Sequence, residues 1–221
     1  KRFKYGLLRH LPGRTGYRYQ AKYEAKSVDW RFRKAIKKTR GMIAVDLGAN
    51  LGELSRMMAK YARRVYAFEP DPWAVKQLRE STQHIDNIEV IESAAGCEDC
   101  RVKLFRHPNF SDDPTSRSQS SSVIASKSNV NQKEFYYVDQ VDIITFIRDL
   151  GQPIGVLKID IEGAEVDVLE SLLERPELIK NIKYIFAETH ETKIPGHQPR
   201  VEALRKQVAT IKRPEINLNW G

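Results

Sequence analysis

Lys158, Asp160 and Glu162 occupy every second position of Leu157–Glu165 (LKIDIEGAE), alternating with Ile159 and Ile161. In an extended strand that spacing puts the lysine and both carboxylates on one face. Such a trio can close on itself as a salt-bridge cluster. It can also do chemistry, with Asp160 or Glu162 as base or hydroxyl ligand and Lys158 keeping the acid ionised. Farther along, Ala187–His190 (AETH) sets Glu188 and His190 on one side of another strand end. An imidazole that titrates near neutral pH is a candidate general base there. Nothing in the spacing requires a metal.

A second group of residues has the marks of a binding site. In Val45–Gly52 (VDLGANLG), Gly48 allows a tight turn and close approach of a ligand, and Gly52 lets the next helix start against the sheet. A dinucleotide site calls for G-x-G-x-x-G. Here the pattern is D-x-G-x-N-x-G, with Asp46 expected to point into the pocket beside Ala49 and Asn50. A carboxylate repels a pyrophosphate but attracts the ammonium and sulfonium of S-adenosyl-L-methionine, which makes that the expected cofactor. Tyr66–Pro70 (YAFEP) adds Glu69, 21 residues beyond Gly48, the separation at which an acid from the neighbouring strand reaches a ribose diol. One carboxylate accepts from both hydroxyls. Pro70 beside it is expected at the cofactor too, and Glu92–Ala95, with the small Ala94, would border the adenine. Cys97 and Cys100 have C-x-x-C spacing but no second pair, and read as a turn.

These residues need strand ends to hold them, and the hydrophobic pattern provides those ends. Met42–Leu47, Arg64–Phe68, Ile88–Ile91, Ile154–Asp160 and Lys183–Ala187 are short apolar runs that suit buried strands. Helix-period segments separate them at Leu51–Ala62, Asp71–Gln83 (Asp71 as N-cap, Pro72 at N1), Val141–Leu150, Ala164–Leu173 and Val201–Ile211. The order is that of an α/β fold with a mostly parallel sheet. Val102–Arg106 and Glu134–Val138 read as further strands, with Ser111–Ser128, eight serines in eighteen positions, as a loop or lid between them. Ile216–Trp220 reads as a closing strand.

The chain has 221 residues and a net charge of +8, unevenly spread. Residues 1–40 hold fourteen basic and two acidic residues, a net +12, while the remaining residues hold 23 against 27, a net −4. The division expected is a basic, aromatic N-terminal helical arm over residues 1–40 and one main domain over 41–221. Such an arm suits an anionic acceptor or a membrane surface, or packs its aromatics on the body with its cations solvated. No apolar run reaches the roughly 18 to 20 residues of a membrane helix, and two cysteines make no disulfide framework, so a cytoplasmic setting is expected. Oligomeric state is open.

With these motifs in place, the sequence resembles the FkbM family of S-adenosylmethionine-dependent methyltransferases. VDLGANLG is similar to that family's first motif, FEPDPWAVKQL to its second, and KIDIEGAEVDVLE to its lysine-acid-acid-glycine signature. The resemblance runs from about Gly41 to His190. It implies a Rossmann-like class I methyltransferase fold with a seven-stranded sheet flanked by helices. It also implies methyl transfer to a hydroxyl of a sugar, glycolipid or related small molecule. By position it puts Asp46, Gly48, Asn50, Gly52 and Glu69 at the cofactor, and Asp160, Glu162 and His190 near the acceptor. An amine-directed [DN]-P-P-[YF] stretch is absent, which disfavours base methylation of nucleic acid. An RNA 2′-hydroxyl, reached through the arm, and a catalytically silent binding module are the competing expectations.

Overall fold

The structure is a computed structural model that describes residues 2–10 and 13–220, with side chains at 4–7, 9–10 and 26–220. Helices α1 (Arg2–Leu8) and α2 (Gly13–Lys38) lead into β1 (Ile43–Leu47), α3 (Glu53–Ala59), β2 (Arg64–Phe68), α4 (Pro72–Thr82) and β3 (Ile88–Ile91). A smaller insert follows, with β4 (Ala94–Gly96), β5 (Cys100–Phe105), α5 (Pro114–Arg117) and β6 (Phe135–Asp142). The chain returns through α6 (Ile143–Leu150), β7 (Ile154–Ile159), α7 (Glu165–Leu173), α8 (Pro176–Ile179), β8 (Ile182–Ala187), α9 (His197–Ala209) and β9 (Glu215–Asn217).

Six strands form one sheet in the order β3-β2-β1-β7-β8-β9, every neighbouring pair parallel. The described residues thus show six strands where the resemblance implied seven, with β9 paired directly on β8. β1 and β7 are buried at every residue, which is why their sequences are apolar without alternation. The winding reverses between them. In an open α/β sheet that reversal leaves a crevice beyond the carboxyl ends of the strands, where ligands bind.

Both faces of the sheet are covered. On one, Leu47, Leu157, Ile159 and Ile185 pack against Ile143 and Ile147 of α6, Val166 and Leu169 of α7, and Val201 of α9. On the other, Val28, Phe32, Ala35 and Ile36 of α2 pack with Ala44, Met58, Val65, Val156 and Phe186. These α2 positions recur at helical spacing, while Arg31, Arg33, Lys34, Lys37 and Lys38 between them are exposed. The Phe32 ring meets Phe186 edge-on at 5.3 Å and Trp220 at 4.6 Å.

Local chemistry explains where elements start and stop. Asp71 caps α4, accepting from the amides of Trp73 and Ala74, with Pro72 at the first position. Helix α3 starts later than its periodicity suggested, because Gly52 at φ 80° is still turning. The serine-rich segment is no plain loop: it contains α5, a 3-10 turn at Ser118–Ser120 and an antiparallel bridge from Ser122 to Phe105. β4, β5 and β6 form a separate three-stranded sheet, ordered β4-β6-β5. The closing strand is Glu215–Asn217, not Ile216–Trp220.

Candidate active site

A cavity of about 400 Å³ opens at the carboxyl ends of β1, β2, β7 and β8. From the cofactor-type motifs Gly48, Ala49, Asn50, Glu69, Pro70 and Ala94 line it, and from the acidic signature Lys158, Asp160 and Glu162 do so. The two groups, 64 to 114 positions apart in the chain, therefore share one wall. Gly52 is not on that wall. It caps α3, where an added Cβ would come 2.5 Å from Leu78.

The β1 turn is held by backbone contacts that only glycine permits. Gly48 sits at φ 79°, and an added Cβ would lie 1.8 Å from the carbonyl oxygen of Asp160. Asn50 also has a positive φ, 46°, and its amide donates to Glu69 Oε2 at 2.8 Å. The other oxygen, Oε1, accepts from the Asp71 amide at 2.9 Å. Burial pushes the Glu69 carboxyl up to about 7 against the pull of these two bonds. The residue lines the cavity. Asn50 Oδ1 is buried without a hydrogen-bond partner among the described residues, an acceptor left for a ligand donor.

Asp46 does not take the position expected of it. Alternation along β1 turns its side chain below the cavity floor, fully buried, where Oδ2 accepts from Ser55 Oγ at 2.6 Å. Its Oδ1 lies 3.3 Å from Lys158 Nζ. Lys158 in turn donates to the carbonyls of Gly48 at 2.6 Å and Leu47 at 3.2 Å, and lies 3.5 Å from Asp160. Burial opposes its charge, yet Asp46 and Asp160 outweigh burial and hold the ammonium above the usual lysine range. Lys158 thus ties β7 to the β1 turn. Asp46 acts through it as an inner counter-ion.

His190 also differs from the expected base. It is 4% exposed and does not line the cavity. Nδ1 lies 3.0 Å from Glu165 Oε1, and Nε2 lies 3.2 Å from Glu162 Oε2, 3.5 Å from Glu188 Oε1 and 3.9 Å from Asp160 Oδ1. Burial disfavours the charged ring, but the bonds to Glu162 and Glu165 prevail and carry it up to about 10. An imidazole already protonated at neutral pH cannot accept another proton. Glu188, at the tip of β8 and on the cavity wall, can. Burial, with the charge of Asp160 beside it, pushes that carboxyl up to about 7.

Several contributors were not assigned from sequence. Glu165, fully buried, accepts from the amides of Ile161 at 2.9 Å and Gly163 at 2.8 Å, bracing the turn that carries Glu162 at φ 58°. Its position inside the LKIDIEGAE motif was the available signal. Lys127, 1% exposed, crosses from the serine-rich segment to bond Glu162 Oε2 and the Ser120 carbonyl. Ser122 Oγ donates to the Glu162 carbonyl at 2.6 Å. Arg106 grips Asp71 with two bonds, at 2.6 and 2.7 Å. With Ser121 bonded to Asp71, the second half of the segment is held to Asp71 and Glu162, and Ser116, Ser118, Gln119, Ser120 and Ser121 line the cavity. No period in the sequence marks a lysine among serines as buried.

Comparisons with known proteins find methyltransferases. A family model described as "Methyltransferase FkbM domain" matches residues 46–210. A curated relative, "Methyltransferase 1" of Beauveria bassiana (strain ARSEF 2860), is 28% identical over 159 residues, which are 62% of this chain and 61% of the relative. The chain therefore spans about six tenths of that relative's length. A solved FkbM methyltransferase from Methylobacillus flagellatus KT is 20% identical over 62% of this chain and 31% of its own, with a TM-score of 0.39. A putative methyltransferase from Streptococcus mutans in complex with SAH is 14% identical over 84% of this chain and 82% of its own, with a TM-score of 0.44.

Proposed function

The chain belongs to the family of the methyltransferase FkbM domain, and on that premise we propose that it is an S-adenosyl-L-methionine-dependent O-methyltransferase. The acceptor is a hydroxyl of a sugar, glycolipid or related small molecule. The observation that carries this reading is the shared cavity, which brings Glu69 and the Gly48 turn together with Asp160, Glu162 and Glu188. When bound, the cofactor supplies a methyl group already activated by its sulfonium. The residues present fit it. The free lone pairs of Glu69 accept from a ribose diol, and the orphaned Asn50 Oδ1 accepts from an amine or hydroxyl. Gly48, lacking a Cβ, lets the β1 turn pack directly on the Asp160 carbonyl, which brings the tips of β1 and β7 together at the cofactor side.

On the acceptor side the chain aligns an oxygen and removes its proton. Asp160 and Glu162 are placed to accept from acceptor hydroxyls and so orient them. Glu188 takes the proton, since a weakly acidic alcohol gains more from a base than an amine does. The five polar residues of the serine-rich segment on the wall offer further hydrogen bonds to a hydroxyl-rich acceptor. Two unbridged cysteines, Cys97 and Cys100, support a reducing, cytoplasmic setting.

Calorimetric titration with S-adenosyl-L-methionine tests the cofactor half. Saturable binding is expected, weakened at least about tenfold in Glu69→Ala; undiminished binding in that variant removes the pocket assignment. Incubation with methyl-labelled cofactor and separate pools of sugars, glycolipids and RNA tests the acceptor half. Label on RNA alone would transfer the reading to a ribose 2′-hydroxyl, for which the +12 charge of residues 1–40 speaks. Binding without turnover on any pool would leave a silent module.

A further inference from the structure

We infer that His190, Asp160 and Glu162 form a divalent-cation site at the cavity wall, of the carboxylate-rich, single-imidazole kind that accepts Mn²⁺ or Mg²⁺. One ligand atom from each lies within 4.8 Å of the others, the spacing a shared ion would close. The set is not acids alone. Its centre is the Nε2 of an imidazole that is almost wholly buried and aimed at the carboxylates.

The orientation of that ring is itself fixed. Nδ1 faces Glu165, whose two oxygens are pinned by the amides of Ile161 and Gly163, so the carboxylate cannot swing away. Nδ1–H donating to a carboxylate, with Nε2 turned inward, is the second-layer arrangement that prepares a histidine to ligate a metal. Nε2 then meets only carboxylate oxygens, from Glu162, Asp160 and Glu188, none of which brings a hydrogen when ionised. Two lysines share the charge of these acids, Lys127 bonding Glu162 Oε2 and Lys158 lying 3.5 Å from Asp160, while Nε2 itself faces carboxylates alone. Either a proton on the ring or a metal ion closes the group. An imidazole with two carboxylates suits borderline-to-hard divalent ions, and open positions toward the cavity would take water or the acceptor.

The ion's effect on the reaction rests on the proposed function, whereas its binding does not. A divalent ion beside Glu188 would hold the acceptor oxygen and make its proton easier to remove.

The test is a titration of chelator-stripped protein with Mn²⁺ alone, followed by calorimetry and by loss of the free Mn²⁺ electron-spin signal, with no methyl donor present. One ion per chain is expected, displaced by excess Mg²⁺. Asp160→Asn, nearly isosteric, and His190→Ala should each weaken it at least about tenfold, with circular dichroism confirming the fold. Because His190→Ala leaves Glu165 without its partner and can unfold the turn, Asp160→Asn decides if the two disagree. Absence of saturable binding, or undiminished affinity in a folded Asp160→Asn, overturns the site and leaves a proton as the closing charge. Titration with S-adenosyl-L-methionine is run separately, so that failure of one reading is distinguishable from failure of the other.

Discussion

Glu69 is pulled by two opposing demands. Burial favours its neutral form, moving the carboxyl from 4.5 to about 7. The folded chain therefore holds that proton more tightly than the unfolded one, and stability falls as pH rises through that window. A ribose diol donates best to the ionised form. Cofactor affinity is accordingly expected to increase as pH rises through about 7, and Glu69→Gln should flatten that profile; titration calorimetry across the range checks it. At the acceptor side, Glu188→Gln is expected to lower turnover about 10²-fold while leaving cofactor affinity unchanged, measured by initial rates and a binding titration. A residual rate close to the parent's would assign the proton to another group. The roles of these two acids were differently legible in the sequence. Glu69 followed from its distance to Gly48, whereas Glu188 was overshadowed by His190, whose charge depends on Glu165 and Glu162, neighbours that only the turn geometry brings to it.

Among elements, the turn after β1 and the second half of α2 are the most exposed to single substitutions. Gly48→Ala combines a positive φ with a Cβ inside the Asp160 carbonyl, so a loss of about 3 kcal/mol or more is expected in a denaturant melt. Phe32→Ala empties a fully buried site between helix and sheet and should cost about 3–5 kcal/mol. A melt unchanged by that substitution would mean the helix contributes nothing to the core. The central strands were readable because burial on both faces requires unbroken apolar runs. The helix boundaries near Gly52 and the folding of the serine-rich segment were not. Those depend on left-handed backbone and on long-range pairs such as Arg106 with Asp71 and Lys127 with Glu162, which carry no periodic signature.

For the molecule as a whole, the basic beginning of the chain and its mildly acidic body meet along α2. Val28, Phe32, Ala35 and Ile36 belong to the body, while the cations between them stay in solvent. A chain so divided can sit on an anionic surface without unfolding. Cosedimentation with anionic lipid vesicles is expected at about 50 mM salt and lost by about 200 mM, with none on neutral vesicles, because exposed charges are screened over about 10 Å or less at those strengths. Among the described residues no helix is long and apolar enough to cross a membrane.

The three tryptophans fall in three different settings. Trp30 is exposed under Lys34, Trp220 is wedged between Phe32 and Phe186, and Trp73 meets Phe110, just before the serine-rich segment, at right angles, 5.8 Å between centroids. Trp73 thus stands against the residue at which the chain enters that segment: with Trp30 and Trp220 replaced by phenylalanine, a change in its emission would report any movement of Phe110, with no dye attached.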